Sequence, residues 1–511
     1  MKRWKTIEWV TIDSLWYWWV GIATISEGPA AGKKLIVKWG LPWSVVDVRV
    51  VKKKKDYLEW HITNVVSFPE ELLDGEARCP HYLYAYAQRS EMPIHKQWCG
   101  WCKRQAISYP QQLAMKQTMV TELFEDCFAS QWTTQHPIVG SPKVYQYRNK
   151  IEFSFWKYLV RDREQWGFSE AHHRSMWFHK QWEFSKVVNI NQCFLVSEKM
   201  HTVYDRIKAD CKASWLPVHD SKTHHGVLRH CVIREWVRTW QLLVNIAIHD
   251  ENLAANTQWQ STWNSLIASW SADSEMTELV TTLVVTSNSW LADIVHGSNS
   301  TLEVQWWTWT IIEWLQLTEE WITARFQVSP FSFFQTNTWW AEELFGKAAE
   351  LVWTKKWSLI DLYCGSGSIW LTFHALWIWS KLIWIDIVES AIRDAHHNAL
   401  MNWMNAYVEF YAWKAEQLLS EWAVWDEWFQ WDDLIVIDPP RSWIHKAVVE
   451  FLRSVKQRHS DVTLLYISCN PVTMRRDVDL LVAWWVFSLT AHQAVDMFPH
   501  THHIECIGLL R

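Results

Sequence analysis

After residue 326 the sequence alternates short β-rich apolar runs with helical ones: SLIDLYC, AIRDAHHNALMNW, DLIVIDPP, KAVVEFLRSV and TLLYISC. That alternation admits few folds. Strands alternating with helices build a doubly wound parallel sheet, whose ligand sits in the crevice at the carboxyl ends of the strands. The residues at those strand ends therefore carry most of the functional information.

The first such end is DLYCGSGSIW, where Gly365 and Gly367 directly follow a strand. Glycines there let the backbone turn sharply and approach a ligand, and the next helix N-terminus offers unpaired N–H groups. Asp386 in KLIWIDIVESA closes the next strand, about 20 residues on, where an acidic side chain can hold ribose hydroxyls. This set suits a dinucleotide or S-adenosylmethionine, although an ordinary tight strand-to-helix turn would show the same glycines. A further strand ends in Asp438-Pro439-Pro440, a rigid extended turn that projects a carboxylate into the crevice. Capping the next helix is its simpler role. The last run ends in Cys469, followed by Asn470-Pro471, with Glu505 in the terminal strand-like segment. A cysteine so placed reads as the nucleophile of an α/β enzyme.

A chain of 511 residues is too long for one core. Residues 1–68 carry regularly spaced β-rich runs (KKLIVKW, SVVDVRVV, YLEWHITNVV), the pattern of a small β-barrel. Residues 69–325 read as an α+β central domain, with helical spacing beginning after Ser108-Tyr109-Pro110, and 326–511 as the α/β domain. The helical spacing covers about 104–130, and the helical segment, taken as 104–140, is expected to pack on the α/β domain. No run approaches the ~18 apolar residues of a membrane span. Nor does an apolar signal segment follow MKRWKTIEWVTID, so a cytoplasmic location away from membranes is expected. Ten scattered cysteines suggest reduced thiols. The net charge of −6 excludes a global electrostatic case for nucleic acid and leaves local patches, the densest being Lys52 to Lys55. No obligate protein partner is evident.

DLYCGSGS, VIDPPR, YISCNPVTMRRD and VDMFPHTHHIE, in this order, resemble the RNA 5-methyluridine methyltransferases. SPFSFFQTNTWWAEELF at 329–345 resembles the segment that those enzymes carry before the sheet, and YRNKIEFSF and LRHCVIRE their middle domain. EGPAAGKKLIVKWGLPW with VVKKKKDY resembles the TRAM barrel, an RNA-binding oligonucleotide fold of the ribosomal-RNA members. The resemblance implies a Rossmann-like S-adenosylmethionine-dependent domain behind an OB-like barrel. It implies methylation of carbon 5 of a uridine in RNA, with 23S ribosomal RNA the expected substrate and transfer RNA the alternative. Cys469 matches the nucleophile that adds to carbon 6, and Glu505 the base that removes the carbon-5 proton. Gln335, Tyr363, Gly365, Gly367, Asp386 and Asp438 match cofactor and base-pocket positions, with Arg441 following in the DPPR run. Arg148, Lys150, Arg229 and Arg234 join Lys52 to Lys55 as candidate phosphate contacts, and the target base is expected to flip from its stack.

Cys79, Cys99, Cys102 and Cys193 resemble the family's four-cysteine [4Fe-4S] site, with YAYAQRSEMPIHKQ as an insertion between the first two. A structural zinc is the rival occupant. His500, His502 and His503, beside Glu505 in sequence, read as packing or orienting residues.

The chain holds 44 Trp and only 14 Gly, where usage of about 7% would give about 36 glycines. Trp370, Trp384, Trp413 and Trp443 stand where the family has glycine, and pairs occur at 18–19, 306–307 and 339–340. Many family glycines are thus read as tryptophan. An indole where the backbone needs positive φ costs about 1–3 kcal/mol, and several dozen would exceed a net stability of about 5–15 kcal/mol. A catalytically inactive RNA-binding protein of the same fold is therefore the competing expectation, and Trp370 and Trp384 are expected to border the cofactor pocket.

Overall fold

The computed structural model describes residues 6–16, 20–25, 32–38, 40–53, 57–69, 72, 74–75, 77–82, 99–156, 175–180, 183–188, 192–220, 223–290, 295, 300–306, 311–316, 323–330, 333–352, 358–375, 381–404, 408–415, 429, 433–441 and 444–511. The chain forms two compact units. One comprises Met1–Met119, Trp156–Phe194 and Phe498–His503; the other comprises Val120–Phe155, Leu195–Met497 and Ile504–Arg511. This division cuts across the three segments drawn from the sequence.

In the first unit, β1 (Thr6–Thr11), β2 (Ser14–Trp16), β3 (Val20–Thr24), β4 (Lys34–Lys38), β5 (Val45–Lys53) and β6 (Tyr57–Ser67) form one sheet in the order β1-β5-β6-β4-β3-β2. Alternation along these strands sends Val46 and Val48, Leu35 and Val37, and Trp60 and Ile62 into a common core. Cys79, Tyr82, Ala106 and Ile107 complete it. The side chains of Lys52 to Lys55 and the insertion at 84–97 lie outside the described residues.

Helix α1 (Tyr109–Gln131) begins in this unit and continues into the second. Its Lys116 Nζ donates to the His503 carbonyl at 2.9 Å, and Gln112 Oε1 accepts the His500 N–H at 2.9 Å. The His502 and His503 rings lie 4.1 Å apart. These contacts tie the 498–503 segment to the start of α1.

The segment after α1 corrects the sequence reading of helix to residue 140. The helix stops at Gln131 because Trp132 takes a left-handed conformation (φ 55°), and residues 134–139 form strand β7 (Thr134–Val139). Strand β8 (Lys150–Trp156) follows, and β9 (Ser175–Lys180) pairs antiparallel with β10 (Glu183–Val188). Helix α2 (Glu198–Ala213) precedes β11 (Leu228–Glu235) and β12 (Leu242–Ile248). The helices α3 (Asp250–Ala254), α4 (Thr257–Ala272) and α5 (Ser274–Leu279) then carry the chain over to β13 (Thr282–Ser287), parallel to β12. Strand β14 (Thr301–Trp306) closes the order β8-β11-β12-β13-β14, and β15 (Ile311–Gln316) pairs with β16 (Thr323–Val328).

Two candidate phosphate contacts fail here. Arg229 is buried and donates to the carbonyls of Asn288 (2.6 Å) and Trp290 (2.7 Å), and Arg234 is buried with its guanidinium directed to the Ser329 carbonyl. Both lie on β11, whose residues are all buried, so their charge serves the interior. Arg148 and Lys150 are partly exposed.

The α/β part follows as read from the sequence. Helix α6 (Thr338–Val352) leads to β17 (Ser358–Asp361), α7 (Ser368–Ala375), β18 (Lys381–Ile385), α8 (Glu389–Met401), β19 (Val408–Tyr411), β20 (Leu434–Ile437), α9 (Lys446–Arg458), β21 (Thr463–Ser468), α10 (Pro471–Val482), β22 (Leu489–Val495) and β23 (Glu505–Leu510). The sheet order is β19-β18-β17-β20-β21-β23-β22-β7. Strands β19, β18, β17, β20 and β21 run parallel, and β23 is antiparallel to β21. The strand order reverses between β17 and β20, which opens a crevice at their carboxyl ends.

Trp9, Trp43, Trp132, Trp215, Trp240, Trp403, Trp484 and Trp485 adopt positive φ between 55° and 63°, a region that favours glycine. All eight are 63–93% exposed. At the end of α8 the C-terminal cap is complete, with Trp403 N–H on Leu400 O (3.1 Å) and Met404 N–H on Ala399 O (2.9 Å). Trp403 thus fills the position that such a cap usually gives to glycine.

The tryptophans singled out from sequence behave differently. Trp340, Trp370 and Trp384 are fully buried, and these three and Trp413 keep ordinary negative φ, so backbone strain does not arise there. Trp443, the pair at 18–19, Trp307 and the side chain of Trp306 lie outside the described residues.

Candidate active site

The turn after β17 is built on Gly365 (φ +54°) and Gly367 (φ +81°). Asp386, just past β18, accepts the Gly365 N–H at 2.9 Å and the Val388 N–H at 2.8 Å, so the acidic residue is tied to the turn. Ser366 Oγ donates to the Phe333 carbonyl (3.2 Å), which brings the 333–335 loop alongside. Gln335 is buried there, its carbonyl held by Asn149 Nδ2 at 3.0 Å. The structure therefore groups Gln335, Tyr363, Gly365, Gly367 and Asp386 at one end of the sheet.

The indoles lie beneath this turn. A Cβ at Gly367 would come within 2.9 Å of Trp384 Cη2, and Trp384 packs edge-on against Phe410. Trp370 Nε1 donates to the buried carboxylate of Asp361, which also accepts the Tyr363 N–H at 2.9 Å. Sequence reasoning missed Asp361; its place just before the glycine turn was the available signal.

Strand register assembles the second half. Ser468 pairs with Cys506 across β21 and β23, so the antiparallel register, continued one residue, sets Cys469 opposite Glu505. Asp438 follows the end of β20, the other neighbour of β21. Burial pushes the Cys469 thiol up to about 12, helped by the charges of Glu505 and Asp438 and opposed by Arg441, which also hydrogen-bonds to it. Glu505 is pushed up to about 8, first by burial and then by Asp438. Burial raises Asp438 to about 7. Cys469, Glu505, Asp438 and Arg441 thus form one cluster, in which burial keeps the thiol and the Glu505 carboxyl protonated near neutral pH.

Cys79, Cys99, Cys102 and Cys193 meet in the first unit. The thiols of Cys79, Cys99 and Cys102 are each pushed up by burial and by neighbouring thiols of the set, Cys193 included. The Cys99 N–H donates to His81 O (3.0 Å), and the Cys79 N–H to Gln105 Oε1 (3.0 Å). Among the described residues no group of three or more His, Cys, Asp or Glu side chains stands at metal-holding geometry. Four thiols within one another's electrostatic reach are the donor chemistry that a thiolate-bound group would use.

An uncharacterized RNA methyltransferase of Caldanaerobacter subterraneus is 30% identical over 487 residues, covering 94% of this chain and 95% of its own. One of Clostridium tetani is 30% identical over 485 residues, 94% and 93% of the two chains. Residues 303–511 match the tRNA (Uracil-5-)-methyltransferase family model. The chain belongs to the RNA uracil-5-methyltransferase family. The fold of this family member is also that of the Pyrococcus abyssi tRNA (uracil-54, C5)-methyltransferase in complex with S-adenosyl-L-homocysteine, with a TM-score of 0.67 at 21% identity over 98% of each chain. Among the described residues no helix is long and apolar enough to cross a membrane.

The raised carboxyls set the sign of the pH dependence. Glu505 (about 8), Asp438 (about 7) and Glu313 (about 7, raised by burial) hold protons in the folded state that the unfolded chain releases near pH 4.5 or below. Their contribution to stability is complete below the unfolded values and is lost as pH rises through the folded ones. The melting temperature is expected to fall from pH 5 to pH 8, and to fall less in Glu505→Gln; a scan by differential fluorimetry measures both.

Proposed function

We propose that this chain methylates carbon 5 of a uridine in 23S ribosomal RNA, with Cys469 as nucleophile and Glu505 as base. The register that sets Cys469 opposite Glu505, beside Asp438 and Arg441, carries this reading. S-adenosylmethionine, when bound, supplies an electrophilic methyl group. Gly365, Gly367, Tyr363, Gln335 and Asp386 would hold it at the β17–β18 end, with Asp386 presenting a carboxylate to the ribose. The Cys469 thiol gives its proton to solvent and the thiolate adds to carbon 6 of a flipped uracil, which moves the ring electron pair to carbon 5 and makes it nucleophilic. After methyl transfer Glu505, in its deprotonated carboxylate form, takes the carbon-5 proton, and the sulfur leaves as thiolate while the ring double bond re-forms. Arg441 steadies the thiolate, and Asp438 accepts a hydrogen bond from the base edge.

The six-stranded sheet would serve as the TRAM-type RNA-binding barrel, with phosphate contacts from Lys52 to Lys55; Arg148 and Lys150, in the other unit, would make phosphate contacts of their own. Cys79, Cys99, Cys102 and Cys193 would hold a [4Fe-4S] cluster, which would tie segments distant in sequence. Anaerobically purified protein is expected to contain iron and visible absorbance; zinc without iron would replace the cluster by a structural zinc site.

The deciding experiment incubates the protein with S-adenosylmethionine and unmodified ribosomal or transfer RNA, then maps methyluridine by mass spectrometry. A product in 23S RNA supports the proposal, and one confined to transfer RNA overturns the substrate assignment. Trp384, packed under Gly367, favours one second reading, an inactive RNA-binding protein. No methylated product, with RNA binding retained, would establish it.

A further inference from the structure

Two polar residues of the segment after Cys469 are not used by the chemistry above, yet both reach the loop that carries Arg441. Asn470 caps α10, its Oδ1 accepting the Val472 N–H at 3.2 Å, while its Nδ2 donates to the Arg441 carbonyl at 3.3 Å. Asp477, farther along α10, is fully buried. Its Oδ2 accepts the Ile444 N–H at 3.0 Å and the Tyr466 hydroxyl at 2.9 Å. The two side chains thus grip the loop at Arg441 and at Ile444. Tyr466 lies on β21, the strand that ends just before Cys469.

We infer that Asn470 and Asp477 are positioning residues that hold the backbone at Arg441 and at Ile444 so that the Arg441 guanidinium stays on the Cys469 sulfur. The sequence spacing explains the device. Cys469, Asn470 and Asp477 share one strand-to-helix unit, so the loop is referenced to the same backbone as the nucleophile. A carboxylate buried without partners would be costly, and a third donor, Arg476 Nη1, lies 3.4 Å from Asp477 Oδ1. Asn470 additionally fixes the direction of α10 by capping it, with Pro471 in its first turn.

The inference rests on the proposed role of Cys469, but its test needs no RNA. The rate of Cys469 alkylation by iodoacetamide, followed by peptide mass spectrometry, is measured against pH in the full chain and in Asn470→Ala, Asp477→Asn and Tyr466→Phe. Removing the guanidinium from the sulfur disfavours the thiolate, so Asn470→Ala and Asp477→Asn are expected to react about tenfold more slowly at a fixed pH, their profiles displaced upward by about one pH unit. Tyr466→Phe, which keeps the Asp477 bond to Ile444, is expected to follow the parent chain. Parent-like profiles in both Asn470→Ala and Asp477→Asn overturn the clamp, as does an equal displacement in Tyr466→Phe. Should Asp477→Asn fail to fold, Asn470→Ala alone decides by the same criterion. Loss of methylation in the parent chain, with the displaced profiles retained, would count against the proposed function and leave the clamp standing.

Discussion

Cys469→Ala is expected to abolish both methylation and covalent trapping by RNA containing 5-fluorouracil, whereas Glu505→Gln keeps trapping and loses turnover. The asymmetry follows from their separate tasks. Without the sulfur, carbon 5 is too weak a nucleophile for a methyl sulfonium, and no adduct forms. Without the carboxylate, addition and methyl transfer proceed but the carbon-5 proton stays, so the adduct accumulates on ordinary RNA. A positioned base contributes about 10²–10⁴-fold, which sets the expected loss in Glu505→Gln. Gel-shifted, denaturant-resistant RNA complexes report the adduct, and methyl incorporation reports turnover. Normal methylation by both variants would refute the mechanism.

Exchanging Trp132, Trp215, Trp240, Trp403 and Trp484 for glycine is expected to stabilise the protein, against the usual direction of removing large apolar side chains. These residues hold positive φ and are mostly exposed, so glycine relieves backbone strain and sacrifices little burial. Relief of about 1–3 kcal/mol, less the greater freedom of glycine in the unfolded chain, leaves about 1 kcal/mol per site. Sites this far apart in sequence, each in its own turn or helix end, should add nearly independently. The melting temperature should rise by about 2–4 °C per kcal/mol. Trp340→Gly supplies the opposite sign. That indole is fully buried in α6, and its loss should cost about 3–5 kcal/mol through the cavity left behind. Destabilisation by the five exposed exchanges would show that their strain is relieved elsewhere.

Sequence reading reached the α/β sheet because strand and helix periods differ, and strand ends are marked by Gly365, Asp386, Asp438 and Cys469. It reached Glu505 through resemblance alone, since a glutamate opening a terminal strand has no local signature. It erred where only burial could decide. Arg229 and Arg234 look like surface cations in a strand of mixed residues, but β11 is central in its sheet, and their guanidinium groups satisfy backbone carbonyls. The helical spacing over 104–130 agrees with α1, which ends at Gln131; the rest of the 104–140 segment is strand β7, behind the left-handed Trp132.

The tryptophans show the same division. Their number against so few glycines is a property of composition, and composition alone predicts strain. Which of them carry it is decided by φ: Trp370 and Trp384 sit on ordinary backbone in the core, while Trp403 and Trp484 take left-handed turns in solvent. By itself the sequence determined the fold class, the chemistry-bearing residue types and their order, because these depend on periodicity and local turn geometry. Only the tertiary structure decided that Cys469 faces Glu505, that Arg441 lies on the sulfur, and that Asn470 and Asp477 grip its loop. Those relations come from the register between β21 and β23 and from contacts across loops, which no local pattern encodes.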